Sequence, residues 1–268
     1  MQQRANEAVD DARIRVEIAI ESVEGTLAAA DGGADRVELC QALGEGGLTP
    51  SAGLCAAVTR ATTLPVFAML RPRAGDFCYS AAERDVIARD LDALGAAGAA
   101  GFVVGGLRPD GQLDTALLRD VLARAGGRPV TCHRAFDLCA DPSRAIDELC
   151  DLGIARLLTS GQAPSAPAGA AAIRAAVERA AGRLIVMAGA GVRADNVKAL
   201  VAATGVREVH LSAGAFRDSA MQFRRPGVPM GSSPAPGEYA LRVTDPASVA
   251  GVVAALRNGG DRATISGR

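Results

Sequence analysis

The stretch VTCHRAFDLC (130–139) carries Cys132, His133 and Cys139, two of the six cysteines and one of only two histidines in the chain. A thiol beside an imidazole suggests a soft-metal site. Asp137 lies four residues beyond His133, where a carboxylate can orient an imidazole or act as a base. The plainer reading makes Cys132 a small buried hydrophobe. The choice depends on where the elements point these side chains.

Short β-like runs alternate with Ala-rich helical stretches. The strands expected are 14–20, 36–40, 65–71, 101–106, 129–135, 155–160, 183–189 and 208–214. Strands separated by helices make a parallel sheet. Four of the eight follow a glycine suited to ending a helix: GADRVELC (33–40), GAAGFVVG (98–105), GIARLLTS (153–160) and GVREVHLS (205–212). These are the even-numbered strands. A βαβα unit repeated four times predicts a single closed (β/α)8 barrel, with an open doubly wound sheet as the alternative.

The repeat also supplies a register, because side chains alternate between barrel interior and helix layer. The odd strands align Glu17, Met69, His133 and Met187 at one level, then Ala19, Arg71, Ala135 and Gly189. The even strands align Glu38, Val103, Leu158 and His210, then Cys40, Gly105, Ser160 and Ser212. The other parity is uniformly apolar. Barrel interiors are normally filled by branched apolar residues. Here the interior takes Glu17, Glu38, His133, His210 and Arg71. Buried charges demand partners, so Glu17 and Glu38 are expected to pair with Arg71, Arg73 or the imidazoles. Either an ion network fixes the core, or a functional site lies at the mouth.

The rim adds further candidates. In RPRAGDFCYS (71–80), Arg71 and Arg73 could grip a carboxylate or phosphate, or simply neutralise Glu17, Glu38 and Asp76. GEGGLTPS (44–51) could cradle an anion ahead of a helix starting near Ser51, although it lacks a P-loop lysine. In many barrels the loops after strands seven and eight bind phosphate through backbone N–H groups. MAGAGVRADN (187–196) and SAGA (212–215) offer small residues there, making Gly189, Gly191, Ser160 and Ser212 anion-binding candidates. The segment 217–245 is a long loop rich in Pro, Gly and Ser, read as a cover over the mouth or an oligomer contact.

Composition removes several classes. A net charge of −1 recruits neither nucleic acid nor an anionic membrane, and the absence of Trp argues against base-stacking platforms. The longest apolar run, LGAAGAAGFVVGGL (94–107), is too short and Gly-broken to span a bilayer. The opening MQQRANEAVDDAR has no apolar signal core, so a cytoplasmic address and a disordered extension over 1–12 are expected, with the barrel over 13–268. The cysteines then read as thiols, and without a CxxC pair they do not form a structural zinc site.

GADRVELC…EGGLTPS, RPRAGDFCYS, VTCHRAFD, LTSGQ, MAGAGV and MQFR together resemble the CutC family over about residues 15–257. The family is named for copper homeostasis. The resemblance implies a cytoplasmic TIM barrel, copper ion binding and a homo-oligomer. It also implies a Cu(I) site built on two cysteines. Cys40 matches the second, whereas Ala19 stands at the first. Cu(I) prefers soft ligands, so Cys40 is the metal candidate.

Two functions follow. One is copper homeostasis with copper ion binding. The other is a barrel enzyme acting on a small anionic or phosphorylated molecule. In the second, Arg71, Arg73 and the 189–191 loop bind the anion, while Glu17 or His133 moves a proton beside Glu38. A divalent metal on the carboxylates would turn that enzyme into a phosphoester hydrolase. No organic cofactor is expected.

Overall fold

In a computed structural model, which describes residues 13–228, 230 and 237–257, eight parallel strands close into a barrel. They are β1 (Arg15–Ile20), β2 (Arg36–Leu39), β3 (Val66–Met69), β4 (Gly101–Val104), β5 (Val130–Cys132), β6 (Arg156–Thr159), β7 (Ile185–Gly189) and β8 (Glu208–Leu211). All eight expected strands are present, and β1 pairs with both β2 and β8. The expected disorder over 1–12 lies outside the described residues.

Among the described residues, eight α-helices surround the strands: α1 (Val23–Asp31), α2 (Ala52–Ala61), α3 (Ala81–Ala96), α4 (Thr115–Arg124), α5 (Pro142–Leu152), α6 (Ala170–Ala180), α7 (Val197–Thr204) and α8 (Pro246–Arg257). Their starts follow local chemistry. Ser22, Ser51 and Ser80 each cap a helix with a side-chain oxygen, and Ser80 forms a capping box with Glu83. The four junction glycines, Gly33, Gly98, Gly153 and Gly205, all have positive φ. Glycine adopts that conformation without the Cβ penalty.

The alternation holds along the strands. Val16, Ile18, Val37, Leu39, Ala68, Val209 and Leu211 join the large apolar layer between strands and helices. Cys40, Phe67, Met69 and Val103 form a separate small cluster. Ala135 departs from the expected register. β5 ends at Cys132, and Arg134–Leu138 form a 3-10 turn, so Ala135 packs into the outer layer. A turn breaks the two-residue alternation on which the register depends.

The segment after β8 also differs from a plain loop. β9 (Gly214–Asp218) and β10 (Ala240–Thr244) form an antiparallel two-stranded sheet outside the barrel. β10 then leads into α8, the eighth helix of the ring. Part of the expected 217–245 loop lies outside the described residues.

Candidate functional site

The interior is charged from its floor upward. Arg36 on β2 donates to Glu17 on β1 and to Glu208 on β8, the latter at 2.5 Å. Arg156 on β6 donates to the same Glu208 carboxylate at 3.0 Å. All four side chains lie on the interior parity. Burial pushes the Glu17 carboxyl up, but the Arg36 guanidinium and the His210 hydrogen bond outweigh it and hold it at about 2. Arg36 is therefore the counter-ion of Glu17, and of the expected partners, Arg71, Arg73 or the imidazoles, it is the His210 ring that joins it. The reason is register: Arg36 is the direct β2 partner of Glu17.

His210 sits one step higher, between two carboxylates. Its Nδ1 lies 2.7 Å from Glu17 Oε1, and its Nε2 lies 3.7 Å from Glu38 Oε2. Burial lowers the imidazole's pKa, yet Glu38 and Glu17 more than reverse this and raise it. Burial also raises Glu38 above the ordinary carboxyl range. An imidazole bridging two carboxylates is suited to hold and pass a proton. One ligand atom from each of Glu17, Glu38 and His210 lies within 4.8 Å of the others.

Cys40 lies behind Glu38 and is fully buried. Its thiol donates to Glu38 Oε2 at 3.4 Å. Burial and the adjacent Glu38 charge push the thiol well above its usual range. A thiolate is thus disfavoured here, and no cysteine belongs to the carboxylate–imidazole cluster. With Ala19 on β1 paired to Glu38, the residues present supply through Cys40 one of the two thiolates of a two-cysteine Cu(I) site.

Across the mouth stand Arg71 and His133. Arg71 donates to the carbonyls of Glu45, Gly47 and Gly75 at 2.8–3.1 Å. GEGGLTPS therefore turns carbonyl oxygens toward a cation, instead of the N–H groups that would cradle an anion. No carboxylate among the described residues reaches ion-pair distance of Arg71, although it is 6% exposed. Its guanidinium lies over the Phe77 ring, 4.9 Å from the centroid. His133 packs on Phe77 with centroids 5.0 Å apart. Burial and the Arg71 charge lower His133 to about 3, so the imidazole is neutral.

A cavity of about 890 Å³ opens above these groups. It is far larger than a metal ion, and it meets Glu38, Arg71, His133, His210, Gly191 and Ser212. Glu17 lies beneath it and Cys40 behind it. Besides Glu17 and Cys40, four expected residues do not line it. Arg73 binds Asp76 and Glu83 at the surface. Asp137 accepts from Thr159, Arg134 and the Ser160 backbone, so it braces the β6 end instead of orienting His133. Ser160 is committed to Asp137 and Ala163. A Cβ on Gly189 would meet Leu158 at 2.5 Å, which makes it a packing glycine. Phe77 and Arg242 line the cavity without having been expected. Both come from irregular or peripheral segments, where strand parity gives no signal.

A family model described as CutC matches residues 14–215. The chain belongs to the CutC family. It is 43% identical to the human copper homeostasis protein cutC homolog over 91% of this chain and 89% of that one. It is 47% identical to a CutC family protein of Chromobacterium violaceum over 92% of this chain and 98% of that one. A crystal structure named for the copper homeostasis protein CutC of Streptococcus agalactiae superposes with a TM-score of 0.70 at 30% identity, covering 74% of this chain and 97% of that one. Phosphoribosylanthranilate isomerase of Thermotoga maritima shares the fold, with a TM-score of 0.55 at 14% identity over 91% of this chain and 99% of that one. Within this CutC barrel, no helix among the described residues is long and apolar enough to cross a membrane.

Proposed function

We propose that this CutC-family protein serves copper homeostasis, the role its relatives are named for, through a small-molecule site at the barrel mouth. The site binds a small anion and moves a proton on it. One observation carries this reading: Arg71 is a buried guanidinium without a carboxylate partner among the described residues, and it faces the same cavity as the Glu38–His210 pair. A permanent cation held only by carbonyls is suited to an anionic ligand. Glu38 and His210 then supply the proton-transfer groups, with Glu17 fixing the ring. The cytoplasm suits the six free cysteines, and a homo-oligomer, measurable by sedimentation, is part of the reading.

Copper is then cargo of the pathway and not a resident thiolate centre. Metal analysis and mass spectrometry of protein purified from cytoplasm test both points together. A small anion retained by the wild type and lost from Arg71→Met supports the proposal. One Cu(I) per chain, abolished by Cys40→Ser, would sink it in favour of copper binding.

A second reading rests on the spacing of Glu17, Glu38 and His210, whose donors suit a divalent ion and hence metal-assisted phosphoester hydrolysis. Both Glu17 oxygens are already engaged, by Arg36 and His210, which disfavours it. Stoichiometric zinc or manganese in the purified protein would restore it.

A further inference from the structure

Three side chains at the inner end of the cavity each keep a buried polar atom without a partner: Glu38 Oε1, Arg71 Nε and His133 Nε2. Their residues are 3%, 6% and 4% exposed. Buried polar atoms are nearly always hydrogen-bonded, and these three belong to residues that line one cavity, so together they set the hydrogen-bonding character of a ligand bound there.

The hydrogens on these atoms fix the complement. Arg71 Nε–H can only donate. His133 Nδ1 accepts from the Ala135 N–H at 3.1 Å, which places the neutral ring's proton on Nε2 and makes that atom a donor as well. Phe77 packs against both side chains and holds the two donors on one wall. Glu38, on β2, is an acceptor. A ligand that satisfies all three offers acceptor oxygens to one wall and an O–H or N–H to the other.

Charge narrows the choice. Arg71 is the only cation of the group, and it lacks a carboxylate partner among the described residues. One negative charge neutralises it, whereas a phosphate dianion leaves a surplus in a buried site. An ammonium facing Glu38 would crowd His210, whose Nε2 lies 3.7 Å from that carboxylate. A hydroxyl avoids this conflict.

We propose that the inner cavity is a site for a small hydroxycarboxylate, with its carboxylate on Arg71 and His133 and its hydroxyl on Glu38. This rests on the small-anion function proposed above and specifies its ligand class.

Titration calorimetry of the full chain at neutral pH, with glycolate, acetate, glycine and inorganic phosphate as probes, tests it. A charge-assisted hydrogen bond predicts that glycolate binds about tenfold or more tightly than acetate. Glycine and phosphate should bind more weakly than glycolate. Glu38→Leu should erase the preference for glycolate while acetate binding persists, and Arg71→Met should weaken both carboxylates. Equal affinity for glycolate and acetate, or phosphate as the tightest probe, overturns the ligand class and leaves the anion site standing. Binding of none of the four removes the small-anion function itself. If either variant fails to fold, the wild-type series decides alone.

Discussion

At the scale of single residues, His133 shows how placement sets chemistry. Its ring is buried beside Arg71 and packed on Phe77, and its Nδ1 is occupied by the Ala135 N–H. A proton on this imidazole would be an uncompensated buried charge next to a guanidinium. The folded chain therefore binds that proton only near pH 3, whereas the ordinary value is 6.5. Between these values the unfolded chain is protonated and the folded one is not. By linkage, stability falls as pH drops through this window, by up to about 1.4 kcal/mol per pH unit. His133→Gln removes the titrating group. Urea unfolding from pH 6 to pH 4 should show a steeper loss in the wild type than in this variant. Parallel slopes would mean that His133 protonates in the folded state. In the proposed site, the neutral ring makes His133 a hydrogen-bond donor and leaves Glu38 and His210 as the proposed proton-transfer pair.

Elements hold these residues where they are, and the loop after β6 has the tightest tolerance. A Cβ added at Gly169, the residue before α6, would stand 1.9 Å from the Ser160 carbonyl oxygen. Ser160 in turn holds Asp137 through its backbone N–H and hydroxyl. Gly169→Ala must push this backbone apart, at a cost of about 1–3 kcal/mol or more. Gly44→Ala, where a Cβ meets nothing within 4 Å, serves as the comparison. A clear drop in the urea midpoint for the first and almost none for the second is expected, and equal midpoints would refute the close-contact argument. The strands and the interior parity of Glu17, Glu38 and His210 were legible in the sequence because period-two alternation survives wherever the chain stays extended. It failed where the chain turns. Ala135 and Asp137 follow the end of β5, and a 3-10 turn carries Ala135 into the helix layer. Phe77 comes from a loop with no period at all. Arg36 had the correct parity, but parity marks direction and not partners. Its pairing with Glu17 and Glu208 needed the registers of β1 with β2 and of β1 with β8.

For the whole molecule, the decisive event is closure of the barrel between its first and last strands. Arg36 joins Glu17 on β1 to Glu208 on β8, across 172 residues of sequence from Arg36 to Glu208, and Arg156 on β6 completes the floor. A buried ion network adds little net stability over an apolar core, but removing one member leaves charges unpaired. Arg36→Met takes a guanidinium from two buried carboxylates at once, leaving Glu208 to Arg156 and Glu17 to His210, and should destabilise the fold by about 3–5 kcal/mol at neutral pH. The loss depends on pH with a definite sign. The Glu17 carboxyl is held at about 2 in the folded chain, against an ordinary 4.5. Its contribution is therefore complete above pH 4.5 and declines as pH falls toward 2. Without Arg36, the same carboxyl loses its main counter-ion and takes up a proton more readily. The stability gap between wild type and Arg36→Met should consequently narrow from pH 7 to pH 3 in urea unfolding. A gap that is constant with pH would show that the variant loses packing against Phe67, over which the Arg36 guanidinium lies at 4.9 Å, and not ionic closure. Closure also governs the site above it, because the same β1–β8 pairing that sets Glu17 opposite His210 places the imidazole against the cavity. Arg36→Met should thus weaken anion binding as well as stability, whereas Gly169→Ala, acting at β6, should alter stability first.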